Sequence, residues 1–432
     1  MITGDDPGVS LGAGPVDAAL VGAGGAGLAV LDQVARGLLA APDARRAASG
    51  GPGRPLRVAL VDPLDRLADR PADRTWCSWD VVGSAAAREL EPAVHRSWRR
   101  VSVVGTDGAE QVLDLAPLRY AMVRSEDWYA GVAARVDAAR EAGLLDVVAL
   151  RAPAEAVTDG PQRARVVSAA GEVEATWVLD SRPAAPVRAG ATALLQHFRG
   201  ARVRTAEPVV DPERAVLMDF TAPQPASGLA FGYALPSDAR TVLVEHTEFS
   251  PAVLDDAGYA AALDAQLERA LGPGAGGAVV EHVEQGVIPM TDAVFARRAG
   301  RRVLRLGTAG GAVRPATGYA FTAMQRQARA VAAQLLAGAE VLPPRPYPRR
   351  HVWMDALVLR GLADGSLDGP AFFTRLFARN PPHRVLTFLD GLTGPGAELA
   401  LMATAPRATM LRAAALDAAW RTGRLAQRSA RR

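Results

Sequence analysis

Asp17-Ala18-Ala19-Leu20-Val21-Gly22-Ala23-Gly24-Gly25-Ala26-Gly27 is the stretch that decides the fold. Asp17 to Val21 reads as a buried strand, and the residues from Leu28 to Leu39 as an apolar helix. Between them the glycines follow G-x-G-x-x-G. In that setting Gly22 makes the tight turn, Gly24 lets the backbone approach a pyrophosphate, and Gly27 lets helix and strand pack closely. The helix N-terminus then offers free N–H groups to the phosphates. A second strand, Leu56 to Val61, ends at Asp62, an acid placed to accept from a ribose hydroxyl. The spacing from Gly27 to Asp62 exceeds the usual gap of about 20 residues. The surplus is the Pro/Gly/Ala/Arg segment from Pro42 to Pro55, read as a surface insertion. With 42 glycines in the chain, chance is the competing source of the pattern; the flanking strand, helix and acid favour dinucleotide binding.

Working outward, 432 residues are more than one core usually organises, so two or three connected domains are expected. With 49% apolar and 22% charged residues the chain is globular. All 49 basic residues are Arg, and against 46 acids they leave +3, which does not argue for nucleic acid. A lone cysteine, Cys77, excludes an intramolecular disulfide framework and fits a reducing cytoplasm. No uncharged apolar run reaches the roughly 20 residues of a membrane span without Gly crowding or Pro. The acids Asp5, Asp6 and Asp17 before the first apolar run speak against an export signal. The six histidines are scattered, so no metal site is expected. The chain has no G-x-S-x-G elbow, which argues against a hydrolase.

Arg74-Thr75-Trp76-Cys77-Ser78-Trp79 forms a polar aromatic cluster suggesting a shaped wall. Strands are expected within Val101 to Met122, and at Val147 to Val157, Ala164 to Ser168 and Glu172 to Leu179; a helix with a Ser125 cap is expected from Ser125 to Val136. The last of those strands ends in Asp180-Ser181-Arg182, where open α/β sheets bind ligands. Further strands lie at Leu194 to Phe198, Val216 to Phe220, Leu229 to Leu235 and Thr241 to Thr247. The last two are joined by the turn Pro236-Ser237-Asp238-Ala239. In the final strand Leu243, Glu245 and Thr247 share one face, and Val242, Val244 and His246 the other. Glu245 is either an exposed edge charge or lines an apolar cavity. In the second case desolvation raises its pKa and makes it a general acid near neutral pH.

Val303 to Leu306 followed by Gly307-Thr308-Ala309-Gly310-Gly311, then Arg314-Pro315-Ala316-Thr317-Gly318-Tyr319 and a helical run from Phe321 to Leu336, again reads as strand, glycine turn and helix. Two such exits about 280 residues apart suggest a bulky ligand clasped from both sides.

The chain resembles the flavin-dependent lycopene cyclases, part of the two-glycine-motif flavoproteins. The parts are Gly22/Gly24/Gly27, Arg74-Thr75-Trp76, Asp180-Ser181-Arg182, Met218-Asp219-Phe220, Tyr233-Ala234-Leu235-Pro236, Leu243-Val244-Glu245-His246-Thr247, Gly286-Val287-Ile288-Pro289-Met290 and Pro315-Ala316-Thr317-Gly318-Tyr319. Their order and spacing, from about Asp17 into the C-terminal region, carry the resemblance. The family commonly has two consecutive acids before Thr; here Glu245 keeps the first position and His246 replaces the second. Gly307-Thr308 stands where the wider flavoprotein group often has Gly-Asp.

The resemblance implies an α/β fold: an FAD-binding Rossmann-like domain (17–75, 101–190 and 286–340), an interrupting antiparallel substrate sheet (76–100 and 191–285), and a helical C-terminal region (341–432) with a basic tail. Residues 1–16 are read as a disordered tail. It implies FAD held by Gly22, Gly24, Gly27, Asp62, Asp180, Gly307, Gly310, Gly311, Pro315 and Gly318, active in its reduced form, with NAD(P)H as reductant. The substrate is then lycopene or a related acyclic carotenoid, facing Trp76, His246 and Tyr319. Glu245 is the acid of a net non-redox cyclisation that forms β-ionone rings. An FAD-dependent monooxygenase or a prenyl-chain (geranylgeranyl-type) reductase is the alternative within the fold. A nicotinamide-dependent dehydrogenase, or a binding module using the first motif alone, is a more distant one.

Phe372, Phe373, Leu376 and Phe377 have helical spacing and read as core or tunnel wall, with core favoured. Residues 407–432 carry seven Arg and one Asp, so a basic tail offsets a slightly acidic body. For a substrate drawn from a bilayer, this places the protein in the cytoplasm, peripherally on the membrane surface; a solvated helix and tail is the competing reading of the same segment.

Overall fold

The computed structural model describes residues 14–42, 54–63, 73–182, 191–272, 277–405 and 415. The expected tail at 1–16 and basic tail at 407–432 thus lie almost wholly outside the described residues, although Val16 already begins the first strand.

The first sheet is built on parallel strands in the order β8 (Leu145–Leu150), β2 (Leu56–Val61), β1 (Val16–Val21) and β11 (Gly171–Asp180). The C-terminal half of β11 pairs in parallel with β17 (Val303–Arg305), and its N-terminal half with the antiparallel β10 (Ala164–Ser168), which continues to β9 (Ala154–Thr158). The central strands β1 and β2 are nearly continuous apolar runs because both their faces are covered, whereas β9 and β10 at the edge carry exposed polar residues. Ala18 and Leu20 enter a core with the helices α1 (Gly25–Ala40), α3 (Ser125–Glu141) and α5 (Phe321–Leu336), while Ala19 and Val21 enter a second core on the other face.

The second sheet runs β16 (Val279–Thr291), β12 (Ala193–Arg204), β15 (Thr241–Ser250), β14 (Leu229–Pro236), β13 (Arg214–Asp219), β5 (Arg100–Val104), β6 (Glu110–Asp114). One face packs under α4 (Asp256–Leu271) through Ala201, Val203, Val242, Val244 and Leu263. The other meets a small sheet of β3 (Thr75–Val81), β7 (Leu118–Arg124) and β4 (Val94–Trp98), with the short helix α2 (Ala85–Leu90) between β3 and β4 in the chain, and the helices α6 (Arg349–Ala363), α7 (Gly369–Arg379) and α8 (Pro382–Leu389). Phe373, Leu376 and Phe377 are buried there, so that stripe is core.

The α/β class, the antiparallel sheet and the C-terminal helices agree with expectation; three boundaries differ. Residues 100–124 leave the first sheet. Val101 and Val103 are fully buried in the second core, which draws β5 into parallel pairing with β13, and β7 pairs between β3 and β4. Residues 286–291 complete β16. The expected strand from Val147 to Val157 is two, β8 and β9. Ser125 also does not cap its helix: its hydroxyl accepts from the backbone N–H groups of Asp73 and Arg74, 3.0 and 3.3 Å away, and Arg124 occupies the cap position.

Candidate active site

Four chain segments meet at the C-terminal edge of the parallel strands. Gly22 N–H donates to the Val61 carbonyl, Ser181 N–H to the Val21 carbonyl, and Leu306 N–H to the Asp180 carbonyl. Gly22 (φ 92°) takes the turn, and a Cβ on Gly27 would lie 2.1 Å from the Gly22 carbonyl oxygen, so only glycine fits there. A Cβ on Gly24 would meet nothing within 4 Å: this glycine leaves an open cradle at the start of α1. Asp62 accepts from Ala23 N–H (2.6 Å) and so fixes the loop. Ser181, whose role lies in packing invisible to motif spacing, donates its hydroxyl to the carbonyls of Val21 and Gly22.

The second glycine segment closes on the first. Gly307 has φ 57°, and its Cβ would lie 2.7 Å from that of Ala26 at the start of α1. Gly310 belongs to a 3₁₀ turn, Gly311 (φ 79°) ends it, and Pro315 and Gly318 (φ 69°) are buried beyond it. Beside Gly318 the buried Gln196 Oε1 has no hydrogen-bond partner among the described residues, and neither has the buried Thr317 Oγ1 next to it in the chain. An open glycine cradle at a helix start, together with orphaned acceptors at a second glycine loop, fits a bound dinucleotide whose far end is polar. Asp180 is the exception among the expected cofactor residues: its carboxylate is held by the Arg182 guanidinium at 2.8 and 3.0 Å.

Glu245 stands elsewhere, on the face of the second sheet that looks toward β3 and β7. It keeps some accessible surface yet is enclosed by protein. Its cross-strand partner on β14 is Tyr233, which is hydrogen-bonded to Tyr319. Tyr319 meets Trp79 edge-on, with ring centroids 4.5 Å apart, and Tyr120 contacts both Cys77 and Tyr319. Burial away from water, with the negative Glu284 nearby, pushes the Glu245 carboxyl up to about 8 although Thr247 donates to its Oε1 at 2.5 Å. Burial likewise pushes the Cys77 thiol up to about 12 and holds Tyr120, Tyr233 and Tyr319 above the ordinary phenol range. The chamber therefore holds a neutral carboxylic acid among neutral aromatic walls.

The expected substrate residues divide. Tyr319 is in this chamber. His246 is not: it lies on the opposite face, buried under α4, with Nε2 3.2 Å from Glu248. Trp76 also points away, because alternation along β3 sends Thr75, Cys77 and Trp79 to the acid side. It stacks on Phe321 (5.4 Å between centroids) and covers Gly25 at the start of α1. Sequence reading passed over Tyr120 and Glu284; it quoted Thr75, Cys77 and Trp79 as an aromatic wall and Tyr233 within a motif, without giving any of the four a place beside Glu245. For the β3 residues the period of two was a usable signal; for Tyr120 and Glu284 only the sheet register reveals the site. Beside Trp79 lies a cavity of about 330 Å³, walled by Leu118, Trp128 and Phe321 and edged by Asp32 and Arg326. Among the described residues no group of His, Cys, Asp and Glu is arranged to hold a metal, and no helix is long and apolar enough to cross a membrane.

Solved structures with this fold include a geranylgeranyl bacteriochlorophyll reductase-like protein from Thermoplasma acidophilum (TM-score 0.58, 14% identity, 92% of this chain and 98% of that one covered). A flavin-dependent brominase (TM-score 0.56, 13% identity, 88% and 94%) and a p-nitrophenol 4-monooxygenase from Pseudomonas putida (0.51, 15%, 94% and 98%) share it. At these identities the likeness is one of fold. No curated protein sequence matches the chain. The family model described as lycopene cyclase protein matches residues 17–415, nearly the whole chain, so the protein belongs to the lycopene cyclase family.

Proposed function

We propose that the protein cyclises the ends of lycopene or a related acyclic carotenoid to β-ionone rings, in a net non-redox isomerisation started by Glu245. The observation that supports this most is the neutral carboxyl of Glu245, held at about 8 among Tyr233, Tyr319, Trp79 and Cys77. Protonating a carbon–carbon double bond needs an acid that is un-ionised at working pH and walls that exclude water, which would trap the cation. The aromatic faces of Trp79 and Tyr319 stabilise positive charge. The cavity beside Trp79 takes part of the polyene against its wall of Leu118, Trp128 and Phe321.

The glycine loops of Gly22, Gly24, Gly27, Gly307, Gly310 and Gly311, with Asp62, Pro315 and Gly318, fit FAD. When bound in its reduced form, with NAD(P)H as reductant, FAD supplies negative charge that stabilises the carbocation. The carotenoid comes from a bilayer, so we further propose a cytoplasmic protein resting on the membrane surface, its Arg-rich segment 407–432 toward anionic lipid.

The test is conversion of lycopene by the purified, FAD-loaded protein, with nicotinamide consumption counted against product. Ring-bearing isomers formed with only enough NAD(P)H to reduce the flavin support the reading. One NAD(P)H consumed per product, with hydrogen or oxygen added, would replace it with a prenyl-chain reductase or a monooxygenase.

A further inference from the structure

Sheet register places a second carboxylate opposite Glu245. Gly200, on the middle strand β12, pairs with Glu245 of β15 on one side and with Glu284 of β16 on the other. Directly paired residues share a face, so both acids project to the same side, two strand spacings (roughly 10 Å) apart. Gly200 contributes no side chain between them, and a Cβ there would lie 3.3 Å from that of Glu245. The gap is therefore floored by bare backbone. Phe198 walls one end, lying across Gly286 where a Cβ would come within 2.6 Å of its ring, and Arg202 stands two residues along β12 on the other side.

Glu284 is buried and held from across the chamber by Thr75, whose hydroxyl donates to Oε2 at 2.9 Å. Resting on the cyclisation reading, we propose that Glu284 is the base of the reaction, taking the proton that ring formation releases, so that the carotenoid end sits over Gly200 between a donor and an acceptor.

Glu245 gives its proton to one carbon of a double bond, whose π electrons form the new C–H bond. The neighbouring double bond closes the C–C bond of the ring. The C–H bond beside the resulting cation then supplies the electrons of the new double bond while its proton passes to Glu284. Glu245 is left as carboxylate and Glu284 as carboxylic acid, and exchange with solvent restores both, so no reductant or oxidant is consumed.

Burial raises both carboxyls, Glu245 to about 8 and Glu284 to about 7, with Asp73 and Glu126 raising Glu284 further and Thr75 and Arg202 holding it down. Two coupled carboxyls raised into this range supply one proton donor and one proton acceptor near neutral pH.

The test uses the full-length, FAD-loaded protein and lycopene. Glu284→Gln is expected to retain FAD, lower kcat by about 100-fold with little change in KM, and shift the ring isomer formed, because the proton is then lost from a different carbon. Glu284→Asp should restore part of the rate and the original isomer. Wild-type rate and unchanged isomer in Glu284→Gln would overturn the assignment. If that variant fails to load FAD, Thr75→Val decides: a loss of about tenfold with the same isomer shift supports the role, and unchanged turnover overturns it. A wild-type protein that forms no ring would defeat the cyclisation reading itself; rings formed normally by wild type and variants alike defeat only the role of Glu284.

Discussion

Glu245 and Tyr233 stand directly opposite each other on β15 and β14, and the hydrogen bond from Tyr233 to Tyr319 ties the acid to the segment that follows the second glycine loop. The acid and the cofactor loop are thereby placed on one rigid frame. Because the reaction needs Glu245 protonated and Glu284 ionised, the rate of cyclisation is expected to fall as pH rises through about 8, where Glu245 ionises, and to fall again at lower pH as Glu284 takes up a proton. Glu245→Gln should lower turnover by at least about 100-fold at every pH while FAD binding, read by absorbance, persists.

Stability carries the same signature. Glu245 binds its proton more tightly folded than unfolded, so its stabilising contribution is complete below the ordinary glutamate value of 4.5 and is lost as pH rises through about 8. Denaturant titrations of wild type and Glu245→Gln should therefore give similar midpoints near about pH 4.5, with the variant gaining on wild type as pH rises to about 9. A constant difference across that range would argue against burial of the acid.

At the first glycine loop, Gly27→Ala would drive a methyl to 2.1 Å from the Gly22 carbonyl oxygen, to which the Ser181 hydroxyl donates at 3.0 Å. The helix must move off the strand, and the purified variant is expected to come out without the yellow flavin band. Ser181→Ala should weaken FAD retention more mildly, by roughly the 1 kcal/mol of a lost hydrogen bond.

The buried pair Arg314–Asp355 joins the cofactor segment to the C-terminal helices: two bonds of 2.6 and 2.9 Å, with the guanidinium also against Tyr347 and Phe388. Asp355→Ala leaves a buried cation unpaired and should cost about 3–5 kcal/mol in chemical unfolding. Replacing both partners with apolar residues of similar volume should recover most of that loss.

The parallel half of the fold was legible because its signals are local. Gly22 to Gly27 and Gly307 to Gly311 lie within a few residues of the strands they end. The β3–β7–β4 sheet and the capture of β5 by β13 were not, since neither pairing is made by a tight hairpin: Thr75 meets Arg124, Val94 meets Val123 and Arg214 meets Arg100, and such distant partners leave no local mark. The site divides the same way. Glu245 was marked by one carboxylate beside Leu243 on an alternating strand. Glu284 sits in Val283-Glu284-Gln285, which reads as an ordinary exposed strand until β12 brings Gly200 alongside. His246 shows the converse error: adjacency in sequence suggested a shared site, and the strand's period of two put it on the other face.

The most direct test of the account is mass spectrometry of the carotenoid formed from lycopene by the FAD-loaded protein in D₂O. Cyclisation started by the Glu245 proton gives a cyclic isomer of the substrate carrying one deuterium for each ring formed, and Glu245→Gln forms none. A product that has gained two hydrogens or an oxygen, or rings formed without deuterium, would contradict it.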